Sequence, residues 1–261
     1  MIFQRHLKTI FTLFLVGLLL GSGVCLGQAK KTPVYQAMGA PSDPKVDARW
    51  NRYHDHASIT RIFKELAKTF PEYAKLSSLG KSYGGREMWV LTITNFSKGK
   101  PAEKPGFFVG GGIHANELQC SDAALYIAWY LLEMHARNPQ IAELVDNRTF
   151  YVMPAMSPDS RDSHLHEPNS VKTPRSGMRP VDDDRDGLVN EDGPDDLDGD
   201  GNITQMRVRD PHGNMKPHPE FPNLLIPCKK GEKGSYRLLG TEGYDNDQDG
   251  RINEDRPGSY D

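Results

Sequence analysis

The chain is poor in cysteine. Its three residues, Cys25, Cys120 and Cys228 in 261, cannot build the dense disulfide framework that holds small secreted domains together. No basic stripe with interleaved aromatics is present and the formal net charge is −3, so nothing points to nucleic acid as a partner. Long apolar runs are scarce. Ile10 to Leu20 is an apolar stretch of eleven residues, too short for a spanning helix. From about Ser157 to the end, no strong helix or strand period can be read, and Pro, Gly and Asp dominate.

The apolar stretch does fit an export signal. Arg5, His6 and Lys8 lead it, and the small residues of GSGVCLGQA follow it. Residues 1–27 are expected to be a signal peptide cut before Gln28, leaving a secreted or periplasmic chain with no stable membrane span. Cys120 and Cys228 would remain, either buried as thiols or paired in one bridge. Residues 28–49 carry Pro, Gly and polar residues without a period and read as a linker or arm, with the folded part beginning near Trp50.

Beyond Trp50 the elements alternate. Ile59, Ile62, Phe63, Leu66 and Phe70 follow helical spacing, with Ser58 as N-cap and Pro71 as stop. AKLSSLGKSYGGREMWVLTITN predicts two strands joined at Gly84-Gly85. GFFVGGGIH predicts an apolar strand. Residues 119–136 predict a helix with Cys120, Ala124, Ile127, Ala128, Leu131 and His135 on one face, and RTFYVMPAM a further strand. This order predicts an α/β fold with a mixed, mostly parallel sheet flanked by helices, carrying a long Asp/Gly-rich loop insertion at about 180–256.

That insertion is acidic and repetitive. Residues 182–200 hold ten Asp/Glu against one basic residue, Arg185. A calcium loop of the EF-hand type takes oxygen ligands at positions 1, 3, 5, 7 and 9, Gly at 6 and an acid at 12. Asp182, Asp184, Asp186 and Asn190 occupy positions 1, 3, 5 and 9 of one half-loop. Asp245, Asp247, Asp249 and Asn253 occupy the same positions of another, and Asp196, Asp198 and Asp200 begin a third. Position 12 is Gly193, Arg256 or Arg207, so the acid must come from Glu191, Asp192, Glu254, Asp255 or a neighbouring loop. Calcium is therefore a second candidate cofactor, and a solvated acidic insertion is the competing reading.

His114 and Glu117, in GGGIHANELQ, have the His-x-x-Glu spacing that supplies two of three protein ligands to a catalytic zinc. His164 and Glu167 have it too, and chance gives about half a match among nine histidines. Context separates them. The first pair follows an apolar strand and opens a helix, the place where α/β sheets put ligand sites. The second lies in a polar stretch broken by Pro168.

Residues 50–180 resemble the zinc carboxypeptidase family, the M14 metallopeptidases. The resemblance is carried by YHDHASITRIF with GKSYGGRE, by PGFFVGGGIHANE and by YVMPAMSPDSRD. It implies that residues 50–261 are the N-terminal part of a peptidase domain acting on the C-termini of peptide or protein substrates with Zn2+. His114 and Glu117 would be its first two ligands, and Arg175, or alternatively Arg179, its carbonyl-polarising arginine. The family's third ligand histidine, its glutamate base and its Asn-Arg carboxylate grip are expected beyond RPGSYD, so this chain alone is expected to bind zinc weakly and not to hydrolyse peptides. His135, His164, His166, His212 and His218 share only residue type with that third ligand. Two readings compete: a calcium-stabilised binding module that has lost catalysis, and a zinc deacylase of the aspartoacylase type.

Overall fold

The computed structural model describes residues 39, 41–170, 175–256 and 258. The expected signal, residues 1–27, lies outside them. Helix α1 (His56–Thr69) buries Ile59, Ile62, Phe63 and Leu66 on one face, as the spacing predicts. Each such side chain contributes about 1.5–3 kcal/mol by leaving water. The helix starts earlier than expected. Asp55, not Ser58, is the N-cap, and its carboxylate accepts the Ser58 N–H at 2.8 Å. A carboxylate about one turn before the first apolar residue satisfies an orphan donor that a serine inside the turn could not reach.

The hairpin β1 (Ala74–Lys81) and β2 (Glu87–Ile93) pairs antiparallel across the Gly84-Gly85 turn. Strand β3 (Gly106–Gly110) leads into α2 (Leu118–Met134), then α3 (Pro139–Asn147), and the chain returns as β4 (Thr149–Met153). The sheet order is β1-β2-β4-β3. The sheet is mixed, as expected, but its balance is the reverse of "mostly parallel": β3–β4 is parallel, while β1–β2 and β2–β4 are antiparallel. The hairpin reverses direction before the helical crossover, so one crossover supplies one parallel pair. Strand β3 lies at the sheet's edge with Phe107 60% and Phe108 58% exposed.

Helix α2 buries Ala124, Ala128 and Leu131 of the expected face, but the face extends to one side of it. Cys120 is exposed and Ile127 is 39% exposed, while Ser121, Leu125, Trp129 and Glu133 are buried. The cause lies in the arm. Val46 is buried, its carbonyl accepts from Trp129 Nε1 at 2.9 Å, and the Lys45 and Val46 N–H groups donate to the Glu133 carboxylate at 3.0 and 2.8 Å. Residues 45–46 thus cover a helix face that reads as polar, and packing begins before Trp50. Cys120 and Cys228 are separate free thiols.

Helix α3 has the start signal of Asn138 as N-cap followed by Pro139. At its end, Asp146 accepts from Lys98 Nζ and Asn95 Nδ2, both at 2.7 Å, and lies 3.5 Å from His135 Nε2. Burial pushes this carboxyl up, but Lys98, Asn95 and His135 outweigh it and bring it down from 3.8 to about 2. A depressed folded-state value contributes stability that is complete above the unfolded value and lost as pH falls through the folded one. Asp146→Asn is therefore expected to flatten the loss of Tm between about pH 4 and pH 2. Thermal melts across that range check it, and an unchanged slope would count against the pair.

The region after Ser157 is more ordered than its pattern suggests. Helix α4 (Pro158–His166) follows β4, and the insertion holds an antiparallel sheet of β5 (Gln205–Arg209), β6 (Met215–Pro217), β7 (Leu225–Pro227) and β8 (Tyr236–Thr241), in the order β5-β8-β6-β7. These strands are short and largely exposed, so no apolar alternation marks them. No described helix is long and apolar enough to cross a membrane.

Candidate metal centre

The turn from β3 to α2 is built by glycine. A Cβ on Gly111 would come within 2.5 Å of the Cys120 carbonyl oxygen, and one on Gly112 within 2.3 Å of Ser121 Oγ. Gly112 also has a φ of +63°. The strand end therefore lies directly on the first turn of α2, which only residues without a side chain allow. Hydrogen bonds lock it there. The Gly111 N–H donates to Met153, and the Met156 and Ser157 N–H groups donate to Gly111 and Gly112. Ser157 Oγ donates to the Ile113 carbonyl at 2.8 Å.

His114 and Glu117 emerge from this turn with Nδ1 and Oε1 3.0 Å apart. Glu117 is the N-cap residue of α2, yet its carboxylate makes no cap hydrogen bond and faces the imidazole instead. The pair suits a shared cation: an imidazole nitrogen and a carboxylate oxygen are zinc donors, and bonds of about 2.0–2.2 Å to one ion bring two donors to roughly this separation. Among the described residues, no third His, Cys, Asp or Glu joins them within 4.8 Å. The donor set therefore fits two positions of a zinc shell and no more.

Arg175 is brought to the same place. Its Nη2 donates toward His114, 3.0 Å from Nδ1 and 3.4 Å from Nε2, and its carbonyl accepts the Ala115 N–H at 2.7 Å. Arg179 is exposed further along the chain, where its carbonyl lies against Gly258. A cavity of about 410 Å³ opens beside His114, walled by Tyr83, Met88, Ile113 and Met156, with Asp159 at its polar side. That volume is in the range of small-ligand sites.

Two buried charges hold the site's walls, and the sequence reading missed both. Asp159 accepts from Ser82 Oγ (2.7 Å), the Gly84 N–H (2.8 Å) and Arg86 Nη1 (2.9 Å). Burial pushes its carboxyl up, but these donors prevail and hold it below the usual carboxylate value. Gly84 is required by that approach, since a Cβ there would meet Asp159 Oδ1 at 2.7 Å. Arg161, 1% exposed, donates to the carbonyls of His54 and Leu118 and to Asp122 Oδ2 at 2.6 Å. Asp122 in turn lies 2.5 Å from His54 Nδ1. Leu118 follows Glu117, so Arg161 fixes the helix end from which Glu117 projects.

None of the other candidate histidines groups with this pair. His135 stacks on Tyr73 at 4.1 Å, His166 pairs with Asp55 at 3.3 Å, and His218 Nδ1 accepts the N–H groups of Glu220 and Phe221. His164 sits on α4, and the His212 N–H donates to Asp210. In the insertion, carboxylates gather as the spacing suggests: Asp196, Asp198 and Asp200 form one group and Asp245, Asp247 and Asp249 another, while Asp182 and Asp184 meet Asp255, and Asp184 and Asp186 meet Glu191. Asn190 Oδ1, expected as a ligand, accepts the Val181 N–H, and Asn253 Nδ2 donates to Thr241. Both asparagines have left-handed φ, 53° and 60°, and Asn253 Oδ1 is enclosed with no hydrogen-bond partner among the described residues.

The zinc carboxypeptidase family model matches residues 59–176, a segment that contains the glycine turn, the His114/Glu117 pair and Arg175. Carboxypeptidase B of Astacus astacus is 36% identical over 110 residues, 42% of this chain and 34% of its own length. Carboxypeptidase M of Mus musculus is 30% identical over 116 residues, 44% of this chain and 26% of its own. The solved carboxypeptidase A of Helicoverpa armigera has 25% identity and a TM-score of 0.39, covering 44% of this chain and 27% of that one. The chain thus spans about a quarter to a third of the length of these relatives. Residues 59–176 are thus similar to the zinc carboxypeptidase family over a little under half of the chain.

Proposed function

We propose that residues 50–261 are part of a zinc metallocarboxypeptidase that removes residues from the C-termini of exported peptides or proteins. The observation that carries this is the convergence of His114, Glu117 and Arg175 at the carboxyl end of β3. Zinc, when bound, supplies Lewis acidity toward a scissile carbonyl and toward water. His114 and Glu117 would hold it. The Nδ1 lone pair of His114 can accept from Arg175 or bind a cation, not both at once. With His114 Nδ1 given to a cation, the Arg175 guanidinium would be free to face an oxyanion developing nearby, where its positive charge suits it. The apolar-walled cavity beside His114 offers a place for a substrate side chain.

With two donors, this chain is expected to bind zinc weakly and to leave peptides intact. Metal analysis and release of C-terminal residues from a test peptide, with the zinc-loaded chain, check both. His114→Ala and Glu117→Ala are each expected to weaken zinc binding by more than about tenfold, the scale at which even outer partners of a metal act. Zinc binding indifferent to both variants would overturn the site. Tight stoichiometric zinc with turnover would overturn its incompleteness.

A further inference from the structure

The two full acidic half-loops, 182–192 and 245–255, lie side by side and exchange their last aspartates. Asp255 Oδ1 accepts the Asp183 N–H at 2.6 Å, and an oxygen of Asp255 lies within 4.8 Å of oxygens of Asp182 and Asp184. In return, Asp192 Oδ1 accepts the Asn246 N–H, and Asp192 groups with Glu191 and Asp247. Each loop fails at position 12, and each receives instead the position-11 aspartate of the other. The backbones repeat as well: Arg185 and Gln248 share a φ of 71°, and Gly187 and Gly250 have φ of 101° and 96°.

The exchanged aspartates are the buried ones. Asp192 is 0% exposed and Asp255 is 2% exposed. The second oxygen of each, Oδ2, is enclosed with no hydrogen-bond partner among the described residues, as are Glu191 Oε2, Asp245 Oδ1 and Glu254 Oε2. An enclosed carboxylate oxygen without a partner is strongly unfavourable unless a positive charge faces it. The nearby arginines are engaged: Arg256 donates to both oxygens of Asp183, and Arg251 Nη1 donates to Glu254 Oε1 at 3.1 Å. Asp196, Asp198 and Asp200 differ: they are on the surface and enclose no such oxygen.

We propose that the paired loops form a reciprocal two-site Ca2+ clamp, in which Asp255 completes the site begun by Asp182 and Asp184, and Asp192 completes the one at Asp247. Oxygen-only donors in flexible loops suit Ca2+ better than Mg2+, which demands strict octahedral geometry. The clamp joins Asp183 to Asp255 across 72 positions of sequence, so its ions would hold the insertion's two ends together. It does not depend on the zinc reading.

The test is calorimetric titration of the purified chain with CaCl2, alongside thermal melts with and without a chelator. About two Ca2+ per chain are expected, with a Tm that falls on chelation. Asp192→Asn and Asp255→Asn keep shape and remove charge. Each is expected to lower Ca2+ affinity at one site by more than about tenfold. Were the buried oxygens protonated or watered instead, the amides would be tolerated with binding unchanged, and that overturns the proposal. So does the absence of any heat or Tm change in the unaltered chain at millimolar Ca2+, a readout that stands even if a variant fails to fold. An equal response to Mg2+ would overturn the assignment to calcium, and equal loss in Asp198→Asn would overturn the pairing.

Discussion

Arg161→Met is expected to destabilise the chain by about 3–5 kcal/mol, the cost of stranding one member of a buried ion pair. The guanidinium is 1% exposed and serves three partners: Asp122 Oδ2 at 2.6 Å and the carbonyls of His54 and Leu118. Methionine fills much of the volume and satisfies none of them. Asp122 keeps its contact with His54, which limits the loss but leaves one oxygen without its donor. Urea denaturation measures the effect. The double variant Arg161→Met, Asp122→Leu is expected to recover part of it, because removing both charges removes the stranded one. A loss below about 1 kcal/mol in the single variant would show the pair to be solvated rather than structural.

Gly111→Ala is expected to dismantle the candidate metal centre while altering no donor. The new Cβ would sit 2.5 Å from the Cys120 carbonyl oxygen, 2.9 Å from its carbon and 3.0 Å from Ser121 Cα. All three are backbone atoms, so no rotamer change relieves the contact. Either β3 or the start of α2 must shift, and that shift separates His114 from Glu117. Overpacking of this kind costs about 1–3 kcal/mol, and zinc binding should fall with it. Gly193→Ala is the control, since nothing lies within 4 Å of a Cβ there. It should stay within about 0.5 kcal/mol of the parent. Zinc affinity unchanged in Gly111→Ala would mean that the turn is not what holds the pair.

What the sequence made legible was periodic or punctuated. Helix α1 could be read because its apolar residues recur at helical spacing, and the hairpin because two glycines interrupt alternating strands. The His114/Glu117 pair was readable for a different reason: a strand before it and a helix after it distinguish it from His164/Glu167. What could not be read depends on partners distant in sequence. The buried face of α2 is set by Val46 and Lys45, which meet Glu133 87 and 88 positions away. Arg161 has the look of a surface residue until Asp122 and two carbonyls surround it. The strands of the insertion are too short and too exposed to leave a period. The half-loops were visible as half-loops, but that Asp255 serves the first and Asp192 the second follows only from their meeting in space.

The meeting of Asp183 with Asp255 also bears on how such a chain tolerates change. Residues between them leave the peptidase-like body and return to the point of departure, with Gly258 packed against Met178 and Arg179. A detour that closes on itself exerts no pull on what it departs from. The entropy of closing it grows only with the logarithm of its length, so doubling the excursion costs about 0.6 kcal/mol. The stretch is therefore expected to tolerate changes of length in its exposed loops, provided that the two aspartate-bearing ends and the bridge between Asn169 and Asn202 are kept.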